Sequence, residues 1–385
     1  MIGYAVPYVA CFLLLVVCAI PVYSGLKYRS INSINILPYF FSCFLLSFFL
    51  GGRAFIYSDC FAYYDYYNDI PTLLDSDFIE TLHSAFWEKG FVLFMMIIKT
   101  FCKDYFFFQM ISFLIDYIML FTLFKYYNPE KVLLSFAFFF SFLLVAEVNL
   151  MRNAKAIYLF FLSLKFIERR DFKKFLFTNI IGVFFHNSAV FYFPFYFILN
   201  KKLSKYVLLF LFLVGNAFYV FRITWIQKLL TPLVGVSAIG ILSKLSYLNG
   251  DFARDIGISL ALVERNFTFI VLYWQYKKFD IRNKKYIIPY NCLFVYLFIY
   301  LFFSEMQIFV DRLTVLFVLS YCIFYPRLYK NISRTNKCIF LLLFVLYCGL
   351  KLIVLNGHSY MSYENIFLPH GSYSERFRNN FSIKR

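Results

Sequence analysis

The sequence predicts an all-α, polytopic integral membrane protein with about 10–12 transmembrane helices. Three observations carry this prediction. Apolar residues make up 62% of the 385-residue chain and charged residues 15%, against roughly 45–50% and about 25% in a soluble domain. Aromatics reach 24%, and the mean hydropathy is +0.69. Apolar runs of about 20 residues, the length that spans a bilayer, recur from end to end. This much apolar side chain does not fit one globular core, because a soluble surface needs more charge. Disorder, collagen-like structure and a coiled coil are excluded by the same figures.

The opening, MIGYAVPYVACFLLLVVCAIPVY, lacks a basic n-region and an A-x-A cleavage site, so residues 4–23 are expected to be a retained helix. Further spans are expected at 34–52, 105–124, 132–149, 206–222, 257–276, 286–303, 310–325 and 338–355. Residues 153–168 are interrupted by Lys155 and Lys165 but are otherwise apolar. Residues 86–101 begin with charge and are too short to span, so a short helix is expected there. Residues 175–199 carry His186-Asn187-Ser188 in the middle of an apolar stretch.

The net charge of +17 is that of a polytopic protein with Lys and Arg gathered in its cytoplasmic loops, and no nucleic-acid-binding signature competes with that reading. Strongly basic loops lie at 165–174, 200–205, 277–285 and 326–337. Placing all four in the cytoplasm requires 175–199 to enter and leave on one side. It is then a re-entrant or hairpin element with His186 near its tip, tolerated only where protein or a water-filled cavity surrounds it. A single polytopic domain over 1–385 follows, with the 53–90 loop, the turn at Arg152, the 223–256 loop and the 356–385 tail outside. Basic residues in that tail run against the charge rule.

Ionisable residues at a membrane boundary are costly and tend to be functional. Arg53, Glu88, Arg152, His186 and Arg312 all fall on the outer side of this topology. Arginines bind phosphate through bidentate hydrogen bonds, and a His or Glu is what a transfer reaction needs as a base. Each has a plainer reading: headgroup snorkelling for Arg53 and Arg312, a polar kink for His186, and helix-terminus preference for Glu88. Glu264 and Arg265 sit inside the 257–276 span and face a cavity or a structural partner. The 53–90 loop is acidic and Tyr-rich, which suits carbohydrate as well as a membrane interface. Soluble ATP motifs are absent, so energy must come from an activated substrate in the bilayer. The nine cysteines are scattered without C-x-x-C, and carboxylate-rich cages are missing, so no metal, disulfide framework or cofactor is expected.

Five segments share an order and spacing with a known family. Arg53 with Asp59 and Tyr63, Glu88-Lys89-Gly90-Phe91, Arg152-Asn153 with Ala156, Phe185-His186-Asn187-Ser188-Ala189, and Arg312 with Phe317 together resemble the EpsG family of Wzy-type polysaccharide repeat-unit polymerases. Tyr57 and Ser58 stand where the family loop has Gly-Thr, Cys60 replaces Tyr, Lys89 replaces Pro and Asn153 replaces Gln. The resemblance implies a multi-pass protein of the bacterial inner membrane in O-antigen, capsule or exopolysaccharide assembly. It would transfer a growing glycan from undecaprenyl diphosphate to a second lipid-linked repeat unit. Its partners would be that lipid-linked oligosaccharide, the bilayer and a chain-length regulator protein.

In that reading Arg152 and Arg312 bind diphosphate, and Arg53 binds diphosphate or the donor sugar. His186 or Glu88 is the base, Asp59 holds a sugar hydroxyl, and Tyr63 and Ser188 contact substrate. Two other classes stay open: a membrane O-acyltransferase with an intramembrane histidine, and a flippase or transporter, which would favour internal repeats that this sequence lacks.

Overall fold

The computed structural model describes residues 2–19, 37–230, 259–277 and 284–381. Most of the expected 223–256 loop, the middle of the basic 277–285 loop and residues 382–385 lie outside the described residues. The chain runs through α1 (Ile2–Ala19), α2 (Leu37–Leu46, continued by a π turn over Ser47–Gly51), α3 (Asp59–Asp69), α4 (Phe78–Ser84) and α5 (Lys89–Phe101). Next come α6 (Tyr105–Tyr127), α7 (Val132–Asn149), α8 (Met151–Glu168) and α9 (Phe172–Phe185), followed by a 3-10 turn over Asn187–Tyr192. Then follow α10 (Phe195–Ile198), α11 (Lys205–Val220), α12 (Trp225–Leu230), α13 (Leu260–Lys277), α14 (Lys284–Phe302) and α15 (Gln307–Thr314). The last helices are α16 (Ser320–Asn331), α17 (Arg334–Asn356) and α18 (Tyr373–Phe381).

No strand occurs among the described residues; one isolated bridge pairs Arg53 with Asn365. Four described helices are long and apolar enough to cross a membrane: α6, α7, α14 and Thr335–Asn356 of α17. Shorter apolar helices cover Gly3–Ala19, Leu37–Gly51 and Lys205–Val220. The all-α membrane class read from the sequence therefore stands. In hydrocarbon every backbone N–H and C=O must be paired within its own segment, and helices do this.

The chain divides into two compact units. The first comprises Met1–Phe166, Asp171–Pro194 and Tyr321–Arg385. Its central helix is α7, 83% buried, while the spanning part of α17 is only 17% buried and turns most of its leucines outward. Asp104 starts α6 by accepting the Phe107 N–H at 2.8 Å, and Asp171 starts α9 by accepting the Lys174 N–H at 3.1 Å. These caps satisfy donors that the first helical turn leaves without partners. Between α7 and α8 stands Leu150 alone, which accepts from Ala154 and donates to Ala146. This one-residue break collects Asn149, Arg152 and Asn153 at one end of two long helices.

Below that break lies a buried charge network. Lys155 on α8 pairs with Asp116 on α6 at 2.7 Å, with both side chains 3% exposed or less. The Lys155 ammonium also donates to the Ser112 hydroxyl at 2.8 Å, and on the neighbouring turn the Tyr158 hydroxyl donates to Glu147 of α7 at 2.5 Å. Arg53 and Glu147 both act electrostatically on Asp116, so two cations and two anions share this interior.

The residues after α17 lie across the chain that follows α2. Ala54 donates to the Glu364 carbonyl and Ile366 to the Gly52 carbonyl, each at 2.9 Å. Arg376, 5% exposed, donates from Nη2 to the carbonyls of Phe55 and Ser362 at 2.9 and 2.7 Å. Its charge serves the interior of the fold. Tyr57 has φ of 66°, a left-handed conformation natural to glycine. Its N–H donates to the Tyr360 carbonyl at 3.3 Å and its ring packs on Tyr360, 5.7 Å between centroids.

The second unit comprises Ile167–Arg170 and Phe195–Ser320. Gly215 lets α11 approach α14 closely, since a Cβ there would come 3.0 Å from Leu301. Phe212 and Phe269 stack with centroids 3.8 Å apart, joining α11 to α13. Asn291 ties the chain before α11 to α14 by donating to the Leu199 and Lys201 carbonyls at 2.7 and 2.8 Å. Arg265 donates to the Tyr296 hydroxyl at 3.1 Å and lies 3.6 Å from the centre of the Tyr300 ring, so the intramembrane arginine foreseen in the sequence is clad in tyrosines.

A buried ion pair broken on one side leaves an uncompensated charge, which costs about 3–5 kcal/mol, whereas replacing both partners is often neutral. Lys155→Met alone should therefore lower the thermal midpoint in detergent sharply. Lys155→Met with Asp116→Leu should recover most of the loss. A double variant no more stable than the single one would show that the pair is not a closed electrostatic unit.

Candidate functional site

The site is built in the first unit from the start of α5, the start of α8 and the break after α9. Glu88 occupies the N-cap position of α5, where its carbonyl accepts from Phe91 and Val92. Its side chain does not cap that helix. It reaches out: Oε2 accepts from Arg152 Nη1 at 2.5 Å, and Oε1 accepts from the Asn187 N–H at 3.1 Å. One carboxylate thus joins α5, α8 and the turn after α9. Burial pulls the Glu88 carboxyl upward, but hydrogen bonds from its own N–H and that of Asn187, with the charges of Arg152 and His186, outweigh this and hold it below its ordinary value. At neutral pH it is a carboxylate.

Two glycines make this convergence possible. A Cβ on Gly90 would meet the Phe184 Cβ at 2.6 Å and its carbonyl oxygen at 2.7 Å, so only glycine lets α5 begin against the end of α9. A Cβ on Gly182 would stand 3.3 Å from the Ala189 Cβ, so glycine also lets the 3-10 turn fold back on α9. The chain leaves the helix at His186, whose N–H still donates to the Gly182 carbonyl at 2.8 Å while its own backbone is extended. Within the stretch 175–199, His186 stands at the point where α-helix gives way to 3-10 turn.

The imidazole is turned toward Ser188, with Nδ1 and the Ser188 Oγ 2.7 Å apart. That hydroxyl donates to the Asn153 Oδ1 at 2.9 Å. Arg152 lies 4.9 Å from the centre of the Trp87 ring, a cation–π contact. Tyr63 is buried against Trp87 and Phe91, and its hydroxyl faces the same guanidinium. The buried Arg152 Nε has no hydrogen-bond partner among the described residues. An arginine held from one side by a carboxylate and stacked on an indole keeps donors for an anion.

Of the residues singled out in the sequence, Glu88, Arg152, His186, Ser188 and Tyr63 come together here. Asp59 begins α3 nearby: its N–H donates to the Asn149 Oδ1 at 3.1 Å, and its carboxylate accepts from the Ser58 hydroxyl at 3.1 Å. Arg53 is set differently. It is 2% exposed, and its guanidinium donates to the Leu50 and Val148 carbonyls, so it ties the loop after α2 to the end of α7. Arg312 is exposed on α15, beside Asp311, in the second unit. Sequence reasoning missed Trp87 and gave no role to Asn153. Both flank charged residues already marked, which is the signal that could have found them. Among the described residues, no group of three or more His, Cys, Asp or Glu is placed to hold a metal ion.

The sequence model of the EpsG family matches residues 36–367, a span that contains every residue of this cluster. The chain belongs to the EpsG family. Members of the EpsG family are Wzy-type polymerase-like, and this chain is a polysaccharide polymerase-like membrane protein. No curated protein and no solved structure matches it.

Gly90→Ala should separate α5 from α9, lowering stability by about 1–3 kcal/mol, as overpacking does. Adding Phe184→Ala should not restore it, because alanine keeps the Cβ and the backbone carbonyl that clash. Recovery in the double variant, measured as thermal midpoint in detergent, would show that the Phe184 ring, and neither of those atoms, is in conflict.

Proposed function

We propose that this EpsG-family protein polymerises polysaccharide repeat units at the outer face of the bacterial inner membrane. It transfers a growing glycan from undecaprenyl diphosphate onto the terminal sugar of a second lipid-linked repeat unit, as in O-antigen, capsule or exopolysaccharide assembly. The observation that carries this reading is the convergence of Arg152, Glu88 and His186 from three separate helices on one side of the first unit. In the reaction an acceptor hydroxyl attacks the anomeric carbon, a new glycosidic C–O bond forms, and the C–O bond to diphosphate breaks with its electron pair going to phosphate. Arg152 stabilises the charge that builds on the departing diphosphate, which then needs no proton.

The base is assigned to His186. Both Glu88 oxygens already accept hydrogen bonds, from Arg152 and from Asn187, and a carboxyl with a lowered pKa is a weak proton acceptor. Glu88 instead orients the guanidinium. Trp87, backed by the buried Tyr63, gives a flat apolar face beside it for a sugar ring, and Asp59 is near enough to share a sugar hydroxyl. Arg53 acts by holding the loop, and Arg312 enters this reading from the sequence alone. The lipid carrier, the bilayer and a chain-length regulator are the partners.

Cells without the chain should accumulate single lipid-linked repeat units facing outward. Inward-facing units would mean a flippase, and normal chains lacking acetyl groups an acyltransferase. Among complementing variants made at normal level, Arg152→Lys keeps charge but loses the planar fork, and should shorten chains strongly. His186→Gln keeps size but not basicity, and should slow turnover on the order of 10²–10⁴-fold. Normal chain length in both would remove this cluster from the reaction.

A further inference from the structure

We infer that Tyr57, with Tyr360 and His358, forms an aromatic platform that binds a sugar ring of the repeat unit beside Asp59, a role that rests on the polymerase reading. Tyr57 has a backbone that tyrosine rarely adopts. Three described non-glycine residues have positive φ: Tyr57, Arg170 and Arg222. Arg170 and Arg222 stand just past the ends of α8 and α11. After each of them the next N–H bonds back across the last turn, from Asp171 to the Phe166 carbonyl and from Ile223 to the Phe218 carbonyl. A left-handed residue is the ordinary way to close a helix there. Tyr57 closes no helix. It lies in the loop between the π turn over Ser47–Gly51 and α3.

The fold itself does not require a tyrosine at this position. The Tyr57 N–H donates to the Tyr360 carbonyl at 3.3 Å, and its carbonyl accepts from the Cys60 thiol at 3.1 Å. Glycine would make both bonds without strain. Among the described residues no hydrogen bond reaches the Tyr57 hydroxyl, and the ring is only half-buried. A strained residue persists only where its surroundings fix it, and such residues gather at functional sites. Both flanks of this one are fixed. Arg376 holds the Phe55 carbonyl from Nε and Nη2 at 3.1 and 2.9 Å. Tyr360 sits in a 3-10 turn over Ser359–Met361, and the Met361 carbonyl accepts from the Tyr8 hydroxyl of α1 at 2.9 Å.

The rings of this group form a stepped surface. Tyr57 leans on Tyr360 at 57°, with 5.7 Å between centroids. The exposed His358 ring lies nearly parallel to Tyr360, at 5.2 Å and 5°. A pyranose has a face of C–H groups and a rim of hydroxyls, so it stacks on aromatic faces while phenol and imidazole edges meet the rim. The exposed Ser58 follows Tyr57 and donates to the Asp59 carboxylate at 3.1 Å. Asp59 in turn is tied through its N–H to Asn149, at the end of α7 next to the start of α8. The platform therefore stands on the chain that borders Arg152. Trp87 serves the sugar beside the diphosphate, and Tyr57 serves a second sugar of the same glycan. A tyrosine that merely marks the headgroup layer needs an amphipathic ring, not a left-handed backbone.

The test is saturation-transfer NMR of the full chain in lipid nanodiscs. The probe is the lipid-free repeat-unit oligosaccharide, hydrolysed from the surface polysaccharide of the cells that carry the chain. Irradiating aromatic protons of the wild type should label the C–H face of a sugar ring. Tyr57→Gly relieves the backbone and removes the ring. It should keep or raise the thermal midpoint, yet weaken binding on the order of 10-fold, the scale of one aromatic contact. Tyr57→Phe keeps the ring and should keep the binding. If Tyr57→Gly does not fold, Tyr57→Asn makes the same test, since asparagine also tolerates this conformation. No transfer to sugar in the wild type, transfer to lipid headgroups in its place, or unchanged binding in Tyr57→Gly overturns the inference. A wild type that polymerises the lipid-linked unit while giving any of those results sinks the platform alone. One that binds as expected yet makes no polymer sinks the polymerase reading and leaves the platform standing.

Discussion

Lys155 and Asp116 cannot stand alone in hydrocarbon, and their pairing fixes how α8 is turned. Moving a carboxylate or an ammonium out of water carries a penalty of several kcal/mol per ion even after relaxation. That penalty is offset only if α6 and α8 meet with these two side chains face to face, at 2.7 Å, with Ser112 taking a further ammonium proton. Lys155 lies one turn from Arg152 along α8. Once Lys155 is locked downward, Arg152 and Asn153 have their directions set, and Leu150 ends α7 where Asn149 can receive the Asp59 N–H.

The upper layer repeats the logic at lower cost. Arg152 needs an anion, and Glu88 supplies one from α5; Glu88 in turn accepts the first N–H after the break in α9. These contacts exist only because Gly90 and Gly182 remove the Cβ atoms that would hold the backbones apart. Side-chain chemistry and backbone access are therefore two halves of one design. A charge placed correctly on α5 is useless if α5 cannot come close.

The fold class was legible because spanning length and apolar content are local properties of a sequence. Glu88, Arg152 and His186 were legible for the same reason, since ionisable groups stand out against so many Phe and Leu residues. Arg53 was equally conspicuous, yet its partners are the backbone carbonyls of Leu50 and Val148, which leave no mark in residue type. The basic tail residue Arg376 was hidden likewise, as it donates to the carbonyl of Phe55, more than three hundred positions away. Asp116 was lost inside an apolar run, because its meaning lies in Lys155 on another helix. The contacts that run from His186 to Ser188 and on to Asn153 needed three-dimensional distances, because spacing along the chain does not bring α8 to the turn after α9.

The central claim is that this one polypeptide, with no soluble energy source, converts lipid-linked repeat units into polymer at the Arg152–Glu88–His186 cluster. The most direct measurement is to reconstitute the purified full chain in vesicles with a synthetic undecaprenyl-diphosphate-linked repeat unit and no nucleotide. The account predicts a ladder of lipid-linked oligomers, with one undecaprenyl diphosphate released for each unit added. Repeat units that cross the bilayer unchanged, or that stay monomeric in the presence of folded protein, would contradict it.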